Sequence, residues 1–251
     1  MSRRAFLRLG LYGVPAACAG DAFLVEPKWL KVRHVELTEG STCRLVHFTD
    51  VHYKGDKEYL SRVVSEINAL EPDIVCFTGD LVESTRFLDE ALGLLAGIRC
   101  PMFGVPGNWD PSGGALRAKY AACFEGTGGA WLEDREVLSP DGQVAIVGAR
   151  GRKPHLSTSL KAPRSVLLAH YPAYCAGLKG AQFDLMLAGH SHGGQVRVPF
   201  FGALIVPDRV GDYEKGMYDV PAGKLYVNPG IGTWLLRVRF WCRPEITVLQ
   251  L

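Results

Sequence analysis

Four short polar motifs carry the residue types best suited to chemistry. They read Asp50-Val51-His52, Gly79-Asp80, Gly107-Asn108-Trp109-Asp110 and Gly189-His190-Ser191-His192-Gly193-Gly194-Gln195, with His170 between the last two. Each follows a short apolar run and opens a loop. Carboxylate, amide oxygen and imidazole together suit divalent cations of the manganese, iron or zinc type. The lack of thiolates argues against a purely structural zinc site. A pair of such ions on an α/β scaffold is first of all suited to phosphate esters. Singly, the motifs are weak: Asp50 and His52 could lie in a solvated loop, Asp80 could cap a helix, and Asn108 could form a turn. His190 and His192 say more, because the surrounding glycines let the backbone bend until both rings face one point. Five such elements in this order are improbable in unrelated loops.

The elements that must position them are legible from periodicity. Arg44 to Thr49, Ile74 to Phe77 and Met102 to Val105 are short apolar runs that predict buried strands. Between them, Tyr59, Leu60, Val63, Val64, Ile67 and Leu70 follow helical spacing, as do Phe87, Leu88, Ala91, Leu92, Leu95 and Ile98. Asp50 to Asp80 and Asp80 to Asn108 are each close to one βαβ unit of roughly 30 residues. The motifs therefore fall at the carboxyl ends of parallel strands, where open α/β sheets hold their ligands. In the Asp-x-His pair, strand alternation is expected to put both side chains on one face. The second half is richer in strands: Val144 to Val147, Val166 to Ala169 delivering His170, and Asp184 to Ala188 delivering the Gly189 loop, then short segments at Gln195 to Val198, Gly216 to Val220, Lys224 to Val227 and Glu245 to Leu249. The expected fold is α/β, a layered α-β-β-α sandwich with the metal loops at the strand carboxyl ends.

At 251 residues and 47% hydrophobic content, the chain can bury a full core. A net charge of +2 without a long basic run gives nucleic-acid binding no support, and no protein partner is indicated. Seven cysteines, odd in number and without a CxxC pair, do not make a disulfide framework; Cys76 reads as a buried, inert thiol.

The order D-x-H, G-D, G-N-x-D, a lone His, then G-H-x-H resembles the calcineurin-like metallophosphoesterase family over roughly residues 43 to 251. Gly189 to Gly202, Gly216-Met217-Tyr218, Tyr226 to Gly232 and Pro244-Glu245-Ile246 resemble its bacterial membrane- or wall-associated branch. The resemblance implies two divalent ions. Asp50, His52 and His192 would hold one, Asn108, His170 and His190 the other, and Asp80 would bridge them. A phosphate clamped by the pair would be attacked in line by a hydroxide derived from a shared water. Position 109 departs from the pattern: it is tryptophan where the family usually has the histidine that protonates the leaving group. An indole N–H is no general acid in that role. Phosphodiesters or phosphoanhydrides with good leaving groups, on envelope lipids or nucleotide-linked lipids, are therefore expected over simple alkyl phosphates. Some relatives cleave the UDP-linked diacylglucosamine precursor of lipid A. His155 is a substitute acid or an exposed loop residue, His47 a core histidine, and His34 incidental. The rival reading is a metal-binding envelope protein with weakened catalysis. A protein phosphatase is less supported, since nothing indicates a groove for phosphopeptides.

Ser2-Arg3-Arg4-Ala5-Phe6-Leu7, a mostly apolar stretch and Ala17-Cys18-Ala19 resemble a twin-arginine export signal, too short to span a bilayer comfortably. Residues 1–42 are thus expected to be an export signal or membrane anchor plus lead-in, and 43–251 the catalytic domain. That places the protein outside the cytoplasm or at the membrane; the alternative is the cytoplasmic face of the inner membrane, where UDP-linked substrates lie. Trp234 to Trp241, with Pro199-Phe200-Phe201, is either a greasy, basic lip near the metal edge or an ordinary strand whose alternating arginines face water. The expected partners are a phosphorylated small molecule or lipid and a membrane surface.

Overall fold

The structure, a computed structural model, describes residues 9–37, 43–111, 113–150 and 158–251. In chain order the strands are β1 (Lys31–Glu36), β2 (Arg44–Phe48), β3 (Ile74–Phe77), β4 (Met102–Gly104), β5 (Ala130–Trp131), β6 (Arg135–Leu138), β7 (Val144–Ala149), β8 (Arg164–Ala169), β9 (Phe183–Ala188), β10 (Arg197–Val198), β11 (Gly202–Ala203), β12 (Gly216–Val220), β13 (Gly223–Val227) and β14 (Glu245–Gln250). The helices are α1 (Val14–Gly20), α2 (Lys57–Ala69), α3 (Leu88–Leu95), α4 (Gly114–Gly126) and α5 (Pro172–Ala176). One sheet runs β1-β14-β2-β3-β4-β5, the other β12-β13-β9-β8-β7-β6, and β10 pairs with β11 in a separate hairpin.

Strand alternation sorts the apolar residues into layers. Val46, Phe48, Val75 and Phe77 pack with Leu60, Val63 and Ile67 of α2 and Leu92 and Leu95 of α3. Leu45, Ile74, Cys76 and Phe103 face the other way, onto Ile146, Val166, Leu168, Leu185 and Leu187 of the second sheet. The far side of that sheet, with Leu167 and Met186, is covered by Cys175 of α5. The result is the expected α-β-β-α sandwich. Because both sheets are covered on both faces, their central strands read as unbroken apolar runs.

The βαβ spacing is realised: β2, β3 and β4 are parallel neighbours, so Asp50, Asp80 and Asn108 all follow strand carboxyl ends on one edge. Helix α2 starts where Asp56 accepts the Tyr59 N–H at 3.2 Å. His47 is wholly buried, with Nε2 2.9 Å from Thr78 Oγ1, and burial pushes its pKa down to about 3. It is a core histidine. Cys76 is equally buried and burial raises its thiol well above the ordinary value.

The paired arginines at 3 and 4 lie outside the described residues. From Leu9 to Lys28 the chain forms short helical turns, and no helix among the described residues is long and apolar enough to cross a membrane. The stretch after Ala19 is built into the fold. The Ala22 carbonyl accepts the Arg239 N–H at 2.9 Å, the Glu26 carboxylate accepts the Trp241 N–H at 2.8 Å, and β1 lies parallel to β14 at the edge of the first sheet. Residues 234–241 form no strand, so arginines alternating on a ladder are not what the segment contains. Arg239 is buried and donates to the carbonyls of Pro229, Gly230, Gly232 and Cys242. Leu235, Leu236 and Arg237 are exposed together at a loop tip.

Candidate metal centre

The motif loops converge through backbone geometry that few residues adopt. Asp50, His52, Asp80, His190 and His192 all have positive φ, between 43° and 65°. The alternation expected for Asp50 and His52 is corrected here: β2 ends at Phe48, and both residues lie in the following loop in left-handed conformation. The sterically disfavoured turn at each, of order 1 kcal/mol apiece, is what aims the side chains inward. Strain concentrated in this way is typical of functional sites. The flanking glycines are needed for space. A Cβ at Gly79 would strike the Gly107 backbone, and one at Gly189 would strike the Asp50 carboxylate.

All seven side chains singled out from the sequence come together, and six of them, all but Asn108, are buried. His52 Nε2 stands 3.2 Å from His192 Nε2, and His192 Nε2 3.5 Å from Asp50 Oδ1. In the neighbouring group, His190 Nδ1 is 3.1 Å from His170 Nε2, which is 3.0 Å from Asn108 Oδ1. Asp80 Oδ2 reaches both groups, 3.5 Å from His52 Nε2 and 3.3 Å from His170 Nε2. Two donors bound about 2.1 Å from one cation at tetrahedral or octahedral angles sit about 3.0–3.4 Å apart. The separations match that spacing. Asp50, His52 and His192 form one group able to hold an ion, and Asp80, His170 and His190 another.

The outer ring nitrogens explain why the inner ones are available. His170 Nδ1 donates to the Thr78 carbonyl at 2.7 Å, and His190 Nε2 to the Asp208 carbonyl at 2.9 Å. His52 Nδ1 is 3.1 Å from Glu83 Oε1, which also lies 2.9 Å from Lys54 Nζ. The two carbonyl partners fix the tautomer and ring orientation of His170 and His190. Facing lone pairs repel unless a cation lies between them, so the donor set fits divalent metal. Burial pushes His190 down to about 4 and His192 well below its ordinary value, keeping both neutral. Burial raises the Asp50 carboxyl to about 6. Burial would raise Asp80 too, but the neighbouring His170 outweighs it and holds the carboxyl at about 2. His170 itself is opposed by burial, yet Asp80 raises it to about 9.

Trp109 stands at the mouth, its ring 6.2 Å from that of His52, while its backbone N–H donates to Asp80 Oδ1 at 2.8 Å. His155 lies outside the described residues, and His34 is exposed on β1. Two further residues have roles that the sequence does not disclose. Asp110 lies within the Gly107 motif and binds backbone, which no spacing rule reveals. Glu83 lies three residues beyond Asp80 in a loop, with no local signal for its place behind His52.

A family model described as calcineurin-like phosphoesterase matches residues 43–194. The chain is similar to YkuE, an uncharacterized metallophosphoesterase of Bacillus subtilis, with 31% identity covering 100% of this chain and 98% of that one. It is similar to the phosphodiesterase YaeI of Escherichia coli, with 29% identity over 100% and 99% of the two chains. It is also similar to the UDP-2,3-diacylglucosamine pyrophosphatase LpxG of Chlamydia muridarum, with 26% identity over 82% and 83%.

Proposed function

The chain belongs to the calcineurin-like phosphoesterase family and is a phosphoric ester hydrolase, and on that premise we propose that it cleaves a phosphodiester or phosphoanhydride at a binuclear centre. Asp50, His52 and His192 would hold one divalent ion and Asn108, His170 and His190 the other, with Asp80 shared between the two groups. The observation that carries this is the single oxygen Asp80 Oδ2 within 3.5 Å of a histidine from each group. Manganese, iron or zinc held there would supply Lewis-acid polarisation of phosphate oxygens and lower the pKa of a bound water.

The chain's own residues do the rest. Asp50 and Asp80 bring two carboxylates into the buried site, and this favours dications there. The Thr78 and Asp208 carbonyls hold His170 and His190 in their working orientation, and Glu83 lies 3.1 Å from His52 Nδ1. Trp109 covers the mouth but offers no proton, which favours a leaving group stable as an anion. Among such substrates, envelope lipids or nucleotide-linked lipids are the class proposed. In support, one relative is named a phosphodiesterase and another a pyrophosphatase of a UDP-linked diacylglucosamine. We also propose an extracytoplasmic, membrane-associated location, supported by the Arg3-Arg4 motif; the UDP-linked substrate class favours the cytoplasmic face instead. Fractionation of cells carrying a tagged copy separates the two.

The test is metal analysis with a substrate screen on one purified sample. Manganese-loaded protein is expected to turn over bis-aryl phosphodiesters or UDP-linked lipids, and alkyl phosphomonoesters poorly. Full metal occupancy with no turnover would leave a catalytically weakened metal-binding envelope protein, with Trp109 as the cause.

A further inference from the structure

Beside the metal-binding groups lies a pocket of about 320 Å³ with Ser191 and His192 in its lining. Its walls are Leu204, Ile205, Pro207, Trp234, Leu235 and Leu236, and no charged side chain lines it. The polar atom nearest to spoiling this surface is neutralised: Gln195 Nε2 donates to the Trp234 carbonyl at 3.1 Å, and its Oε1 accepts the Trp234 N–H. Leu204, Ile205, Leu235 and Leu236 are each between 62% and 73% exposed. Single exposed leucines are ordinary; four gathered around one concavity mark a binding surface.

Beyond Pro207 the chain changes character. Asp208, whose carbonyl holds His190, is followed by Arg209, whose guanidinium lies 5.2 Å over the ring of Tyr171. The lining is thus aliphatic beside His192, while beside His190 stand the Tyr171 ring and Arg209, whose Nε pairs with Asp208 Oδ2 at 3.2 Å.

We propose that the pocket is an alkyl-tail subsite. The substrate is an amphiphile whose hydrocarbon chain lies against the Leu204–Ile205 and Leu235–Leu236 walls. Its phosphate meets the metal-binding side chains, and its polar group extends toward Arg209. This rests on the phosphoesterase reading above and specifies its substrate. The occupant is the substrate's own chain, because anything filling this concavity touches His192 and therefore adjoins the reacting phosphate.

The test uses the manganese-loaded full chain and 4-nitrophenyl alkyl phosphodiesters from methyl to decyl, below their micelle concentrations. Calorimetric binding of methyl- and decylphosphonate runs in parallel. Burial of several methylenes is expected to raise kcat/KM by at least about tenfold from methyl to decyl, mainly through KM, and to tighten phosphonate binding similarly. In the Leu235→Ser, Leu236→Ser double variant both ratios are expected to collapse toward one. The subsite is overturned by a flat series, by ratios that persist in the variant, or by a gain that emerges only with micelles or lipid vesicles. Absence of any hydrolysis with metals bound would instead overturn the phosphoesterase reading, and the phosphonate ratio would then decide the subsite alone.

Discussion

The Asp110 carboxylate accepts the backbone N–H of Asp80 at 2.7 Å, and the same group accepts the N–H of Leu81 at 2.9 Å, that of Gly107 at 2.8 Å and the Tyr120 hydroxyl at 2.7 Å. One buried carboxylate thus ties the loop after β3, the loop after β4 and helix α4 into a unit. With Trp109 N–H occupying Asp80 Oδ1, the other oxygen is left facing both histidine groups. Asp110→Asn keeps the shape but sets an amide donor against backbone donors. The expected loss is about 10–100-fold in metal affinity and about 1–3 kcal/mol in stability. Chelator competition and urea unfolding check this; unchanged values in both would show that Asp110 does not position Asp80.

Asp80→Asn removes charge from the bridging position while keeping the fold. Metal content per chain and turnover are expected to fall together. Retention of both, measured by elemental analysis and a phosphodiester assay, would rule out the bridge.

Trp109→His restores a titratable side chain at the mouth without touching the backbone N–H that Asp80 uses. For substrates with poor leaving groups, turnover is expected to rise by about 10² or more. For 4-nitrophenyl esters it should hardly move. Equal effects on both would mean that protonation at position 109 is not what limits the enzyme.

Buried thiols make stability sensitive to alkali. Burial pushes Cys175 from 9.0 up to about 12, and Cys43 likewise. Between pH 9 and 12 the unfolded chain releases these protons while the folded chain keeps them. Stability is therefore full below pH 9 and declines as pH rises through that window. Urea midpoints at pH 8 and pH 10.5 should show the decline, smaller in Cys175→Ala; a pH-independent midpoint in the variant and parent alike would contradict it.

Much of the site was legible because its ligands sit in motifs whose spacing is set by βαβ geometry, and β2, β3 and β4 obey that geometry. The buried strands were equally visible as apolar runs. Helix α4 was not read, because the alanines and cysteine of its sequence blur any apolar stripe and only Tyr120 and Phe124 are buried. Strand pleating predicts a common aim for Asp50 and His52, whereas left-handed turns produce it; a positive φ at Asp or His leaves no periodic trace. Glu83 and Asp110 act by tertiary contact with groups that only folding brings near. The Trp234 to Trp241 segment shows the limit of pattern reading, since its two arginines have opposite fates: Arg237 is exposed and Arg239 is buried among carbonyls.

Anomalous diffraction from crystals grown with manganese is the most direct measurement of the central claim. Two peaks are expected about 3.5–4 Å apart, one within reach of Asp50, His52 and His192, the other of Asn108, His170 and His190, with Asp80 between. A single peak, or ions bound away from these side chains, would contradict the binuclear account.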